Sequence, residues 1–346
     1  MRPELFQLMA AAAPHDAVTA QAIALQSALA RAGIRSKIAA QHVDPTMKDE
    51  VLPLRAVPAD TTPLLLRYSI WSAAAEAALV HPGRVGIVYH NITPAPLLRR
   101  ANPVVAAQCA RGRRELPRFA PVARTVIADS HFNAGELMDV GFKEVDVVPL
   151  ILEVSRVAAE PPIAPPRLLF VGRLTPSKRV EDVIDVLALV RRRHGVEAEL
   201  RLVGSARSFE PYEDALRHHA MANGVADAVH FMGAVSDRDR DHLYATSGVY
   251  VSMSEHEGFC VPLVEAMRHG LPVVARDAGA VRETAGGGAL LVQGGDVRIA
   301  AAAVALVLED DKTRAALARN AAVRLDQLRP EVVTPAMVSA VKALVQ

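Results

Sequence analysis

The sequence predicts an α/β protein made of two doubly wound units, and three observations carry that prediction. At 346 residues the chain is too long for one ordinary domain and suits two sizeable cores. Apolar strand-like runs alternate with helical patterns, as a parallel sheet with crossover helices requires. The proline-rich run 161–166, Pro-Pro-Ile-Ala-Pro-Pro, is the sharpest shift in composition and reads as a linker. This gives a first domain over 1–160, a second over 161–315, and a C-terminal helix over 316–346. That helix belongs to a helical pattern that sets in near 312.

In chain order, residues 5–12 form the first strand, and a long helix over 17–32 is stopped by Gly33. Glu4 and Gln7 interrupt the apolar start, which favours a strand over a secretion signal. Further strands fall at 34–40, 62–68, 85–89, 125–128 and 145–149. After the linker, residues 168–180, Leu-Leu-Phe-Val-Gly172-Arg173-Leu-Thr-Pro-Ser-Lys178-Arg-Val, read as a buried strand, a tight turn and a helix start. The turn delivers Arg173 and Lys178 to the carboxyl end of a sheet, where open α/β folds bind ligands. Two more strand-then-glycine turns follow at Gly204 and Gly233.

Residues 254–267, Ser-Glu-His-Glu257-Gly258-Phe259-Cys260-Val261-Pro262-Leu-Val-Glu265-Ala-Met, hold most of the chemistry. An apolar strand at 249–251 is broken at Ser254 and Gly258, and a helix opens near Pro262, a residue tolerated in a first turn. Amides at a helix N-terminus bind anions, so 258–261 can hold a diphosphate. Glu257 then lies beside the anion, with Glu265 about two turns inside the helix. Carboxylates suit the vicinal hydroxyls of a ribose or hexose.

This string resembles the E-x7-E segment of retaining nucleotide-sugar glycosyltransferases of family 4. The resemblance covers 168–293 closely and 1–150 more loosely. It implies the GT-B fold, two Rossmann-like domains facing a central cleft with the C-terminal helix crossing back onto the first, and transfer of a hexosyl unit from a UDP- or GDP-linked donor to an acceptor hydroxyl. It further implies that Arg173, Lys178 and the amides of Gly258, Phe259, Cys260 and Val261 hold the diphosphate. Glu257 would orient the sugar and Glu265 hold the ribose, with the turns at Gly172, Gly204 and Gly233 lining the donor side. His90, in Tyr-His90-Asn91-Ile-Thr-Pro, matches the family histidine that approaches the donor sugar; otherwise it is a structural histidine after a strand. Ser130 matches a strand-end serine or caps a helix, and Asn91 joins the acceptor-side candidates.

The chain departs from the family in its first loop. In place of a glycine-rich turn it has Ala11-Ala-Ala-Pro14-His15-Asp16, where Pro14 offers no amide hydrogen. Three outcomes stay open there: His15 replaces the phosphate contacts, Asp16 meets the acceptor, or donor grip is weaker.

Other classes are disfavoured. Lys plus Arg is 39 against 38 acids, so no bulk charge calls for nucleic acid. Cys109 and Cys260 make neither a disulfide framework nor a metal cluster, and a reducing cytoplasm is the default. Asp237-Arg-Asp239 resembles a manganese motif of another fold, but it follows Ser236 and reads as first-turn acids behind a helix cap. No metal and no cofactor are expected. Gly286-Gly-Gly288 lacks the setting of a dinucleotide fingerprint. Residues 97–124 carry seven arginines against one acid among apolar residues, either a solvated face or a surface for anionic lipid or a polyprenyl-diphosphate-linked acceptor. Expected partners are therefore a nucleotide-diphosphate sugar and a glycan or lipid-linked acceptor, with cytoplasmic placement at or near the inner face of a membrane. Two alternatives share the fold: a non-hydrolysing UDP-sugar 2-epimerase, and a catalytically silent nucleotide-sugar-binding protein.

Overall fold

The computed structural model describes residues 4–157 and 164–346. The chain divides into two units: one of residues up to Ala95, Val104–Glu153 and Leu328–Gln346, the other of Pro96–Pro103 and Val154–Gln327. The division thus falls after Glu153, upstream of the proline-rich run, and Pro161, Pro162 and Ile163 of that run lie outside the described residues.

The first unit is built on seven parallel strands among the described residues: β1 (Glu4–Ala12), β2 (Arg35–Val43), β3 (Leu52–Pro53), β4 (Leu64–Tyr68), β5 (Val85–Tyr89), β6 (Ala123–Ala128) and β7 (Asp146–Val147). Their spatial order is 3-2-1-4-5-6-7. The central strands β4 and β5 are buried at every position, as expected where helices cover both faces of a parallel sheet. β3 has no alternating or apolar signature beyond two residues, which explains why its strand pairing is invisible in the sequence. Helices α1 (Ala17–Arg31), α2 (Ala73–Leu79), α3 (Pro103–Glu115) and α4 (His131–Asp139) fill the crossovers. Gly33, at φ +80°, follows the end of α1, as its position in the sequence indicated.

The second unit has six parallel strands among its described residues: β8 (Arg167–Val171), β9 (Glu199–Val203), β10 (Val229–Gly233), β11 (Val249–Ser252), β12 (Val273–Arg276) and β13 (Ala289–Val292). They lie in the order 10-9-8-11-12-13. Counted within the unit this is 3-2-1-4-5-6, the doubly wound arrangement whose strand order reverses between β8 and β11. Helices α5 (Val180–His194), α6 (Glu210–Ala222), α7 (Asp237–Thr246), α8 (Val261–Arg268), α9 (Val281–Ala285), α10 (Val297–Glu309) and α11 (Asp311–Gln327) pack around it. Its core joins Leu168, Phe170, Leu200 and Val251 of the sheet to Val183, Leu187 and Val190 of α5 and Val304 of α10.

One expectation is corrected. The helical stretch from 312 onward is two helices, α11 and α12 (Pro330–Val345), and only the latter belongs to the first unit. Pro330 explains the break. The residue before a proline is pushed out of the helical region, and Arg329 sits at φ −57°, ψ 143°. Pro330 itself then serves as a good first helical residue. α12 lays Val333, Met337, Val341 and Leu344 against Leu5, Leu25, Leu29 and Leu65. Among the described residues no helix is long and apolar enough to cross a membrane.

Candidate functional site

In the second unit, β8 and β11 flank the point where strand order reverses, and their carboxyl-end loops carry the candidate residues. Lys178 comes from the loop after β8 and Glu257 from the loop after β11. They meet: Lys178 Nζ donates to Glu257 Oε1 at 2.7 Å, with the glutamate side chain 7% exposed and the lysine 26%. The loops are tied together through backbone as well, Glu255 N donating to Ser177 O at 2.9 Å.

Glu257 is fixed from behind. Its carbonyl accepts from Ala280 N at 2.9 Å, and Gly279 lies so close that a methyl group there would fall 2.3 Å from that oxygen. Thr284 Oγ1 donates to Phe259 O at 2.5 Å. The chain enters α8 through Cys260, held at φ +74°, a conformation that costs a non-glycine residue energy and concentrates at ligand sites. Burial, and next the charge of Glu257, pushes the Cys260 thiol well up, so it stays protonated. Gly279, Thr284 and Ser177 carry no chemical signal of their own, and only their contacts reveal them.

Arg173 is exposed in the turn after β8, and among the described residues no side chain pairs with it. The three glycine turns stack in register. Gly172 N donates to Val203 O and Gly204 N to Gly233 O, and a methyl at Gly204 would sit 1.9 Å from Gly172 O. No side chain fits at Gly204, whereas a methyl at Gly233 would meet nothing within 4 Å.

α8 begins at Val261 with Pro262 in its first turn, and Glu265 is its fifth residue, little more than one turn inside. The expected two turns are too many: only four residues separate Glu265 from the start of the helix at Val261, and one turn takes 3.6. The Glu265 carboxylate accepts from Tyr244 Oη at 2.9 Å and lies 3.5 Å from Arg240 Nη2. Ser236 caps α7, its Oγ accepting from Asp239 N, while Asp237 pairs with Arg240 at 3.0 Å. The aspartates of that run are thus engaged as first-turn acids.

In the first unit, His90 is one member of a buried network. Its Nδ1 lies 2.7 Å from Asp129 Oδ2 and its Nε2 lies 3.2 Å from Arg67 Nη1. A guanidinium only donates, so Nε2 accepts and Nδ1 carries the proton toward Asp129. Arg67 is also held by Gln7 Oε1 at 2.7 and 3.0 Å, and burial pulls its pKa down to about 10. His90 therefore lacks the open nitrogen expected of a residue ready to bind a sugar hydroxyl. That Gln7, Arg67 and Asp129 join one network with His90 is not visible in the sequence, because they lie far apart in the chain; the polar Gln7 and Arg67 inside apolar strands are the available signal.

The remaining first-unit candidates are engaged too. Ser130 is the cap of α4, its Oγ accepting from Asn133 N, and Asp16 is the cap of α1, accepting from Thr19 N at 2.8 Å. Asn91, at φ +69°, donates to Asn133 Oδ1 and to Glu136 Oε2. In the loop without glycine it is His15 that takes the positive φ, +59°. The basic stretch is less available than its composition suggests. Arg111 stacks on Trp71, Arg113 binds Glu136 and the Ile92 carbonyl, and Arg114 and Arg118 share Glu115. Leu98, Leu116 and Phe119 are buried, leaving Val104 and Val122 exposed.

Residues 155–324 match the family described as glycosyl transferases group 1. The chain is 27% identical over 177 residues to the O-antigen chain mannosyltransferase B of Escherichia coli, covering 51% of this chain and 45% of that protein. It is 28% identical over 304 residues to the D-inositol 3-phosphate glycosyltransferase of Salinispora arenicola, covering 74% and 66%. Matches to the first curated relatives span half or less of those proteins' own length. Among solved structures, the sucrose-phosphate synthase of Thermosynechococcus elongatus superposes with a TM-score of 0.79 at 17% identity, covering 99% of this chain and 98% of that one. The Anabaena protein HepE, solved with UDP and glucose, gives 0.76 at 18%, covering 98% and 99%. At such identities these likenesses speak for the fold, which is GT-B.

Proposed function

We propose, for a chain that belongs through residues 155–324 to the glycosyl transferases group 1 family, that it moves a hexosyl unit from a nucleoside-diphosphate sugar to an acceptor hydroxyl with retention of configuration. The observation that carries the reading is the Lys178–Glu257 pair at the reversal point of the second sheet. Each charge is met by the other. Donor binding exchanges the pair for two contacts, lysine to diphosphate and glutamate to sugar hydroxyls.

Arg173, Lys178 and the amides at 258–261 then neutralise the departing diphosphate, the electrostatic contribution that usually dominates such catalysis. Arg supplies a planar fork and Lys a compact charge. As the bond to the leaving oxygen breaks, the acceptor hydroxyl attacks from the same face and its proton passes to a phosphate oxygen. Glu265 holds the ribose. His90, whose Nε2 is an acceptor, takes part by exchanging the Arg67 hydrogen bond for one from a sugar hydroxyl. With these charges in place the transfer is proposed to need no metal.

Relatives named as mannosyltransferases, and HepE with its UDP and glucose, make GDP-mannose and UDP-glucose the first donors to try. A glycan or polyprenyl-diphosphate-linked sugar is the proposed acceptor, in synthesis of a bacterial polysaccharide or glycolipid. Contact with a membrane surface would fall to Arg99, Arg100 and Arg124, the arginines of 97–124 not already engaged above.

Thermal-shift measurements with UDP, GDP, ADP and dTDP identify the base, since a ligand of the native state raises the melting temperature by mass action. Product analysis by NMR with the matching NDP-hexose follows, with and without EDTA. Transfer with an unchanged anomeric configuration and no loss on chelation is expected. Conversion of donor to an isomer without acceptor would mean an epimerase, and binding without turnover a silent protein.

A further inference from the structure

Glu265 is held by α7 before any nucleotide arrives. A glutamate on a helix surface ordinarily samples many rotamers, and fixing one costs a substantial side-chain entropy. Here the carboxylate is caught between two donors from one face of α7, Tyr244 at 2.9 Å and, one turn earlier, Arg240 at 3.5 Å. The first donor is itself rigid: Tyr244 is buried, its ring stacked on His269 with centroids 5.5 Å apart at 13° and 6.2 Å from the ring of Tyr250 on β11. Burial, and next the charge of Glu265, pushes its phenol well up, so it remains a donor. Arg240 is steadied by Asp237.

We propose that Tyr244 and Arg240 are positioning residues of the nucleotide site, which hold the Glu265 carboxylate for a vicinal ribose diol and so set a preference for ribo- over 2′-deoxyribonucleotides. This rests on the assignment of Glu265 to the ribose. A carboxylate has about four lone-pair directions. One is occupied by the Tyr244 hydrogen bond and a second is faced by the Arg240 charge at 3.5 Å, and the two that remain match the two hydroxyls of a ribose. A 2′-deoxyribose leaves one of them unmet in a partly desolvated site, where an unpaired acceptor is costly. The held carboxylate thus discriminates more sharply than a mobile one, which would turn to water instead.

Calorimetric titration with UDP, GDP and their 2′-deoxy counterparts tests this in the wild-type protein and in Tyr244→Phe, Arg240→Met and Glu265→Gln. The wild type is expected to bind the better ribonucleotide about tenfold more tightly than its deoxy form, the scale of one hydrogen bond to a charged group. In Tyr244→Phe the gap should shrink to about threefold or less, mostly through weaker ribonucleotide binding, with the melting temperature retained. A merely structural tie between α7 and α8 would weaken both nucleotides alike and keep their ratio. If Glu265→Gln collapses the gap but Tyr244→Phe and Arg240→Met keep it, the positioning role is overturned and the ribose assignment stands. If the wild type shows no gap and Glu265→Gln binds normally, the ribose assignment itself falls. Should Tyr244→Phe fail to fold, Arg240→Met carries the comparison, and a retained ratio there overturns the proposal.

Discussion

Arg173 and Lys178 are proposed to do the same electrostatic work, yet removing them has different consequences. Either substitution by alanine should cost about 2–4 kcal/mol of transition-state stabilisation, roughly 30- to 1000-fold in turnover. Arg173→Ala should leave stability untouched, since the side chain is exposed and pairs with no side chain among the described residues. Lys178→Ala strands the buried Glu257 carboxylate and should lower unfolding free energy by about 1–3 kcal/mol, read from urea melts. Near-native turnover in both variants would remove them from the mechanism. The two glutamates separate similarly. Glu257→Gln acts where charge develops and should depress kcat, whereas Glu265→Gln touches a part of the donor that does not react and should mainly raise KM. His269 gives a pH signature. Burial holds its imidazole below the ordinary value of 6.5, the Arg268 charge adding to this against the opposing pull of Asp241. The unfolded chain takes up that proton near pH 6.5 while the folded one resists, so stability is lost as pH falls below 6.5 toward the depressed folded value. The decline in urea midpoint from pH 7 to 5.5 should be shallower in His269→Gln.

At the scale of elements, the turn at the end of β9, stacked on that of β8, is the most sensitive to small additions. Gly204→Ala would place a methyl 1.9 Å from a backbone oxygen at φ +137°, and a cost on the order of 3 kcal/mol or more is expected. Gly195→Ala is the control. It shares a positive φ, +67°, at the end of α5 but meets nothing within 4 Å, so about 1 kcal/mol should be lost in thermal melts. What could be read from the sequence follows from how local each signal is. Strands such as β5, and caps such as Ser236 and Ser130, announce themselves within a few residues. So did Lys178 and Glu257, because each lies beside its own turn. The β3 pairing, the Gln7–Arg67–His90–Asp129 network and the Tyr244–Glu265 bond depend on residues brought together by sheet order. That order cannot be read from any one segment. The break at Pro330 was legible in principle, since a proline after Arg329 is a local stop, but the unbroken helical composition on both sides masked it.

For the whole molecule, the decisive segment is α12, which supplies four buried residues to a core whose other members begin at Leu5. A chain ended after Gln327 should retain the second unit and lose the cooperative melting of the first. The single tryptophan, Trp71, is buried in the first unit and reports on it alone. Its emission should shift to that of an exposed indole in the shortened chain, and an unshifted spectrum would show that α12 is dispensable. The same packing sets a schedule for synthesis. Domains at the front of a chain generally fold as they leave the ribosome, at ~5–20 residues per second. Here the strands of the first unit are complete by Val147, but the last apolar side chain they need, Leu344, emerges roughly 200 residues later, on the order of ten to forty seconds at that pace. For that interval Leu5, Leu25 and Leu29 stand without their cover, so the front of this chain must wait for its end, and the nascent protein offers chaperones an apolar face that the finished one does not have.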